Sequence, residues 1–464
     1  MLTRVFGATF FVIIGGFAAN ASGQQILLGQ GFEGPALRQG CKDPPFDYNP
    51  PDPTIAVSSS STSNRIVVTT NSFLYVYDKT SLAMAGFMSL EYDPDYPQGL
   101  FSSFGAEACP VFDPRVLYDH YHDTFVVAAL NPYRQHIFHA GTAPGADPAV
   151  FSSWNTTMTT RDFGDPGVDF TGLGFDQEYY YVTVRVPGGA LIRAFPWNAI
   201  GGPYYDVEVT DAISTIQPAV ASGSPPYGYF VEAARTSSTT TELRVFAWDR
   251  NIHELTANSP VHLDISPPWT DPLYVQPQCS QYGLRDPQGY ALRNCIYWKA
   301  GDVATLHVGH AVWETAQANQ VQWYDIDLGN WPVSGQPTVT FGTFAAATAT
   351  FMPSIARAHQ ELSGQSYDFL AMVVGTAGVG VPPGMGVAGR KVLPLPPTPW
   401  SDVQNVKTGV CALKIIRWGD YFGIAVDPDP YPDGGEFWAI GEYLKPAITE
   451  PYWGTWIQNF AVRP

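Results

Sequence analysis

Short β-rich runs recur along this sequence in sets of four, and this recurrence restricts the folds open to the chain. The first set comprises Thr54–Val57, Arg65–Thr69, Phe73–Tyr77 and Met84–Met88, with Asn, Asp and Ser residues between the runs. Runs rich in β-branched and aromatic residues, bounded by such turn residues, are typical of strands. Repeated sets of four predict an all-β fold of radially arranged sheets, a β-propeller.

The recurrence predicts seven blades. The seven sets occupy the chain from Asp52 onward, and each takes roughly 60 residues, enough for four strands with long loops. The last set, Tyr421–Val426, Glu436–Gly441 and Trp453–Ala461, has three runs only, whereas Ile26–Leu28 belongs to no set. We therefore expect the N-terminal strand to pair with the C-terminal strands and close the ring, because this removes an exposed sheet edge.

The main alternative fold is a pair of β-sandwiches. That fold requires a linker and a change of composition near the middle of the chain, and the 464 residues contain neither. We therefore expect one domain over residues 22–464.

Residues 1–21 are typical of a secretory signal peptide. Arg4 precedes the apolar stretch Val5–Ala19, and Ala19–Ala21 offers a small-x-small cleavage site. A membrane anchor is disfavoured, because glycines interrupt a run that is short for a span. The mature protein is therefore expected to be secreted, in the periplasm or outside the cell, with no membrane span.

The charge balance excludes some partners. The chain has 24 Lys and Arg against 42 Asp and Glu, a formal net charge of −18. An acidic surface repels phosphates, so nucleic acid and anionic lipid are not expected as partners. It suits Ca²⁺, which prefers oxygen ligands. No organic cofactor is expected, because phosphate-loop and other familiar cofactor or catalytic motifs do not occur.

Export permits disulfides. The mature chain has five cysteines, Cys41, Cys109, Cys279, Cys295 and Cys411. Two bridges and one free thiol can be arranged in 15 ways, which leaves the pairing open. Cys279–Cys295 is the first expectation because the separation suits a hairpin, and Cys41–Cys109 is the second.

Polar residues open most of the repeated sets. The opening positions are Asp52, Asp113, Asp169, Gln217 and Asp420. The first strand of each blade lines the central channel of a propeller, so these side chains are expected to meet at one mouth of it. Four of them, Asp52, Asp113, Asp169 and Asp420, are candidate metal ligands, because clustered carboxylates need a neutralising cation. The alternative is that each Asp only caps its own turn.

The stretch Arg417–Tyr421 carries further candidates. Arg417 and Asp420 suit either a structural ion pair or a site where the guanidinium grips a ligand carboxylate. Glu442 follows a strand and is expected at the same rim. Loop tryptophans, of which Trp197 and Trp331 are examples, suit either stacking on sugars or packing between blades.

Three segments resemble a group of exported bacterial propeller proteins. These segments are Pro51–Val57, Asp113–Asp119 and Arg417–Tyr421, and the last reads Arg-Trp-Gly-Asp-Tyr. The resemblance covers most of the mature chain and implies a propeller fold and export, without a settled activity. In shape this group is distantly similar to sialidases, whose Ser-x-Asp-x-Gly-x-Thr-Trp box does not occur here.

The residues lead to two functional hypotheses, and they leave open whether the chain is an enzyme and what its oligomeric state is. The first is a secreted binding module, stabilised by Ca²⁺, that recognises a carbohydrate or an extracellular protein. Its candidate ligand-binding residues are Arg115, Arg293, Arg417, Asp420 and Tyr421. The second is a sialidase-like glycoside hydrolase or lyase, since paired carboxylates are what glycoside hydrolysis requires. Its candidate catalytic residues are Asp113, Asp169, Asp420, Glu442 and Arg417.

Overall fold

The computed structural model describes the chain from Gln25 to Arg463 with internal gaps. The described residues are 25–35, 51–61, 63–92, 99–108, 110–131, 135–160, 168–199, 201–270, 291–315, 318–344, 348–362, 364–378, 381–393, 397–410, 419–429, 435–445 and 452–463. Within them, the elements are strands and two 3₁₀ segments, Ser102–Ala108 and Phe151–Ser153. The chain is therefore all-β, as predicted. The predicted signal peptide, residues 1–21, lies outside the described residues.

The strands form antiparallel groups that follow one another along the chain. The N-terminal strand is β1 (Gln25–Glu33). Group 1 comprises β2 (Thr54–Val57), β3 (Arg65–Thr70), β4 (Phe73–Asp78) and β5 (Met84–Ser89). Group 2 comprises β6 (Phe112–Asp119), β7 (Thr124–Asn131), β8 (His136–Thr142) and β9 (Trp154–Thr160). Group 3 comprises β10 (Asp169–Phe175), β11 (Tyr179–Val186), β12 (Gly189–Pro196) and β13 (Tyr205–Val209).

The second half of the chain continues the pattern. Group 4 comprises β14 (Ile216–Ser222), β15 (Gly228–Arg235), β16 (Thr241–Asp249), the short β17 (Glu254–Leu255) and β18 (Val261–Ile265). Group 5 comprises β19 (Cys295–Ala300), β20 (Val303–Thr315), β21 (Ala318–Asp327) and β22 (Thr338–Thr343). Group 6 comprises β23 (Ala349–Leu362), β24 (Gln365–Gly378), β25 (Val381–Leu393) and β26 (Gln404–Thr408). Group 7 comprises β27 (Gly423–Val426), β28 (Gly435–Lys445) and β29 (Tyr452–Arg463).

The first strands of the groups lie side by side around a common hub. β2 contacts β6, and contacts continue through β10, β14, β19, β23 and β27, which contacts β2 again. Where these strands pair directly, β10 with β14 and β14 with β19, they run parallel. This cyclic order of sheets is a β-propeller. Hydrogen bonds join groups 3, 4 and 5 into one sheet, so the count of seven separate blades and a closed ring of sheets stay predictions.

The two ends of the described chain share one sheet. β1 pairs antiparallel with β29, and Ile26 lies opposite Val462. β1 is thus the fourth strand of group 7, whose order is β1-β29-β28-β27. The pairing covers β29, which would otherwise present a row of unpaired backbone groups to solvent.

The hydrophobic core is divided into layers between neighbouring groups. Between groups 7 and 1, for example, Trp438 and Ile440 pack against Ile55 and Val57. Similar apolar clusters lie between each other pair of neighbours around the hub. Each buried side chain of this size contributes roughly 1.5–3 kcal/mol to folding. The packing of sheet against sheet therefore fixes the positions of the first strands at the hub.

Buried ion pairs reinforce two of these interfaces. Lys79 of group 1 reaches Asp427 and Asp429 beside group 7, with Nζ to oxygen distances of 2.8 and 2.5 Å. At the interface of groups 5 and 6, Arg357 Nη1 donates to His307 Nε2 at 2.6 Å and Nη2 donates to Asp368 at 2.8 Å. A ring nitrogen that accepts from a guanidinium is unprotonated, so His307 is neutral. Burial accordingly lowers the pKa of His307 to about 4.

The described cysteine does not form the first expected disulfide. Cys295 is a free, fully buried thiol, so the expectation of a Cys279–Cys295 bridge is wrong. The reason is local, since Cys295 begins an inner strand that pairs with β14 and β20. The other cysteines lie outside the described residues. Among the described residues, no helix has the length and apolarity required to cross a membrane.

His139 makes the stability of the fold depend on pH. Its ring is fully buried between groups 2 and 3, stacked on Phe195 at 4.5 Å, and neither ring nitrogen has a hydrogen-bond partner. Burial lowers the pKa of His139 from 6.5 to about 3. Between these values the unfolded chain binds a proton that the folded chain does not. We therefore expect the free energy of unfolding to fall as the pH drops below about 6.5, by about 5 kcal/mol at the acid limit.

Urea unfolding of His139→Leu between pH 4 and 7 tests this, with the pH range taken from the shift itself. The variant is expected to lose a large part of the pH slope. Phe195→Leu is the matched control, because it removes the stacking partner and keeps the imidazole, so stability should fall while the slope remains. Identical slopes in wild type and His139→Leu would contradict the assignment.

Candidate functional site

The first strands begin at one end of the hub, which we call the leading end, and they finish at the trailing end. The residue at which a group enters the hub repeatedly has a left-handed backbone: Asp52 (φ 47°), Asp113 (φ 50°), Phe170 (φ 59°) and Met352 (φ 48°). Asp tolerates this conformation better than Phe or Met. In three of these groups the residue sits in a break of strand register. The kink turns the side chain away from the usual strand alternation.

Three carboxylates converge at the leading end, and we call them the acidic triad: Asp52, Asp113 and Asp420. One oxygen of each lies within 4.8 Å of the others. They come from groups 1, 2 and 7. Asp52 and Asp420 are 2% and 3% exposed, whereas Asp113 retains partial exposure. The sequence prediction that these three residues meet at the hub agrees with this geometry.

Asn71 ties two members of the acidic triad together. Its Nδ2 donates to Asp52 Oδ2 at 2.6 Å, and its Oδ1 accepts from the backbone N–H of Asp113 at 3.1 Å. The backbone N–H of Asp420 donates to Asp52 Oδ1. Asp52 is therefore the central member, linked to both of the others. In the sequence Asn71 is one of the turn residues between two strands. Its role at the site is not predictable there, because only the fold brings it against Asp52.

Glu442 is an anchor beneath the acidic triad rather than a rim residue. It is fully buried, and its oxygens accept the N–H groups of Asp52 at 2.9 Å and Gly419 at 3.2 Å. A Cβ at Gly419 would lie 2.1 Å from Glu442 Oε1, so only glycine fits there. Glu442 thus lies at the same end of the hub as the other candidates, but it is fully buried rather than exposed at the rim.

Two other glutamates share this anchoring role. Buried Glu91 accepts the N–H of Val111 at 2.9 Å, and buried Glu232 accepts the N–H of Ser214 at 2.6 Å. Each of these N–H groups belongs to a loop that leads toward an inner strand. A buried glutamate that secures such a loop is therefore a recurrent device of this fold.

Beside the acidic triad, four side chains fill the hub, and we call them the hub plug: Arg115, Phe170, Arg293 and Tyr421. The guanidinium of Arg115 covers the Tyr421 ring at 3.7 Å, and that of Arg293 covers the Phe170 ring at 5.1 Å. The two rings lie 4.9 Å apart. Arg115 also donates to the carbonyl oxygens of Thr171 at 3.0 Å and Arg293 at 2.8 Å. The hub plug therefore connects groups 2, 3, 5 and 7.

The electrostatics of the leading end reflect crowding of like charges. Burial, and then the charges of Asp169, Asp52 and Asp420, raise the pKa of Asp113 well above its usual range. Burial and the nearby Asp52 carboxylate do the same to the pKa of Glu442. Burial raises the pKa of Tyr421, which stays neutral and donates to Asp113 Oδ2 at 3.3 Å. The site thus favours protons or a cation.

The other predicted site residues are not members of the acidic triad. Asp169 is exposed, because Phe170 rather than Asp169 takes the left-handed position in group 3. The assignment of Asp169 to the opening position of its set is therefore off by one residue. Gln217 is buried, 2% exposed. Arg417 lies outside the described residues.

Arg115 and Arg293, two of the candidate ligand-binding residues, lie at the leading end, where their guanidinium groups cover the rings of Tyr421 and Phe170. Arg115 directs Nε and Nη2 to backbone carbonyls, which favours a structural role for these two donors. The structure thus gathers Arg115, Arg293 and Tyr421 next to the acidic triad. Their side chains pack together in the hub plug, and the two guanidinium groups balance part of the negative charge of the carboxylates.

No protein-family model and no curated protein matches the sequence. Similar solved structures include extracellular domains 1-2 of Drosophila Semaphorin 1a, with 9% identity, a TM-score of 0.43, and coverage of 88% of this chain and 86% of that chain. The Dos1 propeller has 9% identity and a TM-score of 0.40, with coverage of 94% and 95%. The N11 neuraminidase-like protein of A/flat-faced bat/Peru/033/2010 (H18N11) has 9% identity and a TM-score of 0.39, with coverage of 75% and 87%. At these values the likenesses carry no inference about activity.

The anchoring role of Glu442 predicts a graded response to substitution. Glu442→Ala leaves two buried N–H groups without acceptors, and we expect a loss of about 2–4 kcal/mol in the free energy of unfolding. Glu442→Gln retains one acceptor oxygen but sets its NH2 group against the second N–H, so an intermediate loss is expected. Urea denaturation at pH 7 measures both, and equal losses in the two variants would argue against the anchor.

Proposed function

We propose that the chain is an exported β-propeller binding protein whose leading end holds a Ca²⁺ ion at the acidic triad. The observation that carries this proposal is the mutual approach of three carboxylate oxygens, from Asp52, Asp113 and Asp420, to within 4.8 Å. Three groups that are distant in sequence supply these oxygens. Like charges so close together are stabilised by a shared cation.

The ligand chemistry fits Ca²⁺, which takes carboxylate and water oxygens at about 2.3–2.6 Å in flexible geometry. Three carboxylate oxygens that lie within 4.8 Å of one another are close enough to share one such ion. Magnesium demands near-ideal octahedral geometry and keeps several waters, so it is expected to bind more weakly here. Carboxylates and water would complete the 6–8 oxygen ligands that Ca²⁺ takes.

A cation at this position would act on the fold as well as on recognition. The acidic triad links group 1, group 2 and group 7, and the last of these contains both chain ends. A bound ion would therefore hold the first and last groups together. The positive charges of Arg115 and Arg293 already balance part of the negative charge, which predicts moderate rather than extreme affinity.

The ligand of the binding protein is proposed to be a carbohydrate or an extracellular protein. The signal-like residues 1–21 and the acidic net charge of −18 support export and disfavour phosphate-rich partners. Hydrolysis by rim carboxylates is less well supported. Asp52, Asp420 and Glu442 are sealed in the interior, whereas a glycoside hydrolase requires two carboxyl groups that a substrate can reach.

Calcium titration of the chelator-treated protein tests the proposal. Saturating Ca²⁺ is expected to raise the thermal midpoint by several degrees, because about 100-fold excess over Kd adds about 2.7 kcal/mol. Isothermal titration calorimetry should show one site, with Mg²⁺ binding more weakly. Asp52→Asn and Asp420→Asn are each expected to abolish Ca²⁺ binding and the thermal shift.

Asp169→Asn is the matched control, because it removes a nearby carboxylate that is outside the acidic triad. It should retain the Ca²⁺ response of the wild type. Absence of a thermal shift and of binding heat at millimolar Ca²⁺ would reject the cation site, and so would equal losses in Asp169→Asn and Asp52→Asn.

A further inference from the structure

The structure shows which of the loop tryptophans are buried in the packing and which one remains exposed to solvent. Trp154, Trp269, Trp331 and Trp453 are at most 8% exposed, and Trp400 is partly buried. These five side chains therefore belong to the packing within and between sheets. Trp197 differs, because it remains 36% exposed. Among these six tryptophans, Trp197 is thus the one whose indole a ligand can reach.

Trp197 is nevertheless held in one orientation. The ring of His122 stacks face to face on the indole, with a centroid distance of 3.9 Å and an interplanar angle of 9°. The backbone N–H of Trp197 donates to the carbonyl oxygen of Glu178 at 2.9 Å. One face of the indole is thus covered by His122, and the exposed fraction belongs to the rest of the ring.

His122 is itself fixed by a buried carboxylate. Asp119 is fully buried and accepts from His122 Nδ1 at 2.6 Å, from the Tyr180 hydroxyl at 2.8 Å and from the Tyr121 N–H at 2.9 Å. A carboxylate can only accept, so Nδ1 of His122 carries a proton, and the other ring nitrogen, Nε2, is not engaged by Asp119.

This pair lies at the trailing end, opposite the acidic triad. Asp119 ends β6, and Trp197 directly follows the end of β12, beside the turn that contains Glu178. The inner strands have about seven residues, which separates the two ends of the hub by roughly 20 Å.

We propose that Trp197, supported by His122, is a binding subsite for a neutral saccharide, with the apolar face of a pyranose ring on the indole. Such ring faces stack on exposed, preorganised aromatic side chains, and a rigid platform reduces the entropy lost on binding. The imidazole Nε2 of His122, which Asp119 does not engage, is a polar atom that can hydrogen-bond to a sugar hydroxyl. The carboxylate of Glu178, in the turn beside the platform, is paired with Arg250 at 2.7 Å, and a neutral sugar leaves this ion pair intact.

This inference rests on the proposed role as a binding protein and names the ligand class. It does not rest on the calcium site, which lies at the other end of the hub. Saccharide binding at Trp197 is expected to be the same with Ca²⁺ and with a chelator. The two proposals can therefore fail separately.

Saturation-transfer NMR provides the test. The probes are neutral cello-, malto-, xylo-, manno- and chito-oligosaccharides, each at about 10 mM, so that millimolar Kd values are detected. We expect transfer to at least one of them, strongest at the protons of one ring face. Trp197→Ala should weaken binding by about tenfold or more, whereas Trp197→Phe should retain part of it.

Phe151→Ala is the matched control, since Phe151 is an aromatic residue that is 44% exposed and lies in another loop. Its binding should equal that of the wild type. Equal binding by wild type and Trp197→Ala would overturn the proposal. It would also be overturned if none of the five saccharide classes showed saturation transfer.

Discussion

Repulsion among carboxylates at the leading end is the interaction to which the rest of the hub is adapted. Two unit charges about 5 Å apart repel by roughly 3 kcal/mol at an effective dielectric constant of 20, and the acidic triad contains three such pairs. The surrounding groups offset this repulsion in three ways. Asn71 and the backbone N–H of Asp420 donate hydrogen bonds to the Asp52 carboxylate. The guanidinium groups of Arg115 and Arg293 bring positive charge, and the raised pKa of Asp113 favours binding of a proton or a cation.

The same constraint explains why the hub is filled rather than open. A guanidinium that balances buried carboxylates loses hydration, and it recovers part of that loss on aromatic faces and carbonyl oxygens. Arg115 uses both, with Tyr421 on one side and the carbonyls of groups 3 and 5 on the other. The hub therefore has a polar, sealed leading end, whereas the trailing end carries a half-exposed aromatic platform.

Much of the fold and part of the site could be predicted from the sequence. Strand runs such as Thr54–Val57 and Glu436–Gly441 lie in observed strands, and Ile26–Leu28 pairs with β29. Asp52, Asp113 and Asp420 meet because each opens an inner strand. Asp169 was misplaced because a register break made Phe170 the kinked residue. The burial of Glu442 was not predictable, because a strand pattern does not reveal which N–H groups a buried carboxylate will meet.

The sequence by itself determined the strand periodicity, the repeat and the acidic openings, because side-chain alternation and turn chemistry act over a few neighbouring residues. Only the tertiary structure decided which carboxylates lie together, which tryptophan stays exposed and whether Cys295 is bridged. These depend on contacts between residues as far apart as Asp52 and Glu442, which are 390 positions apart. Such contacts arise when sheets pack around the hub, and no local pattern encodes their distances.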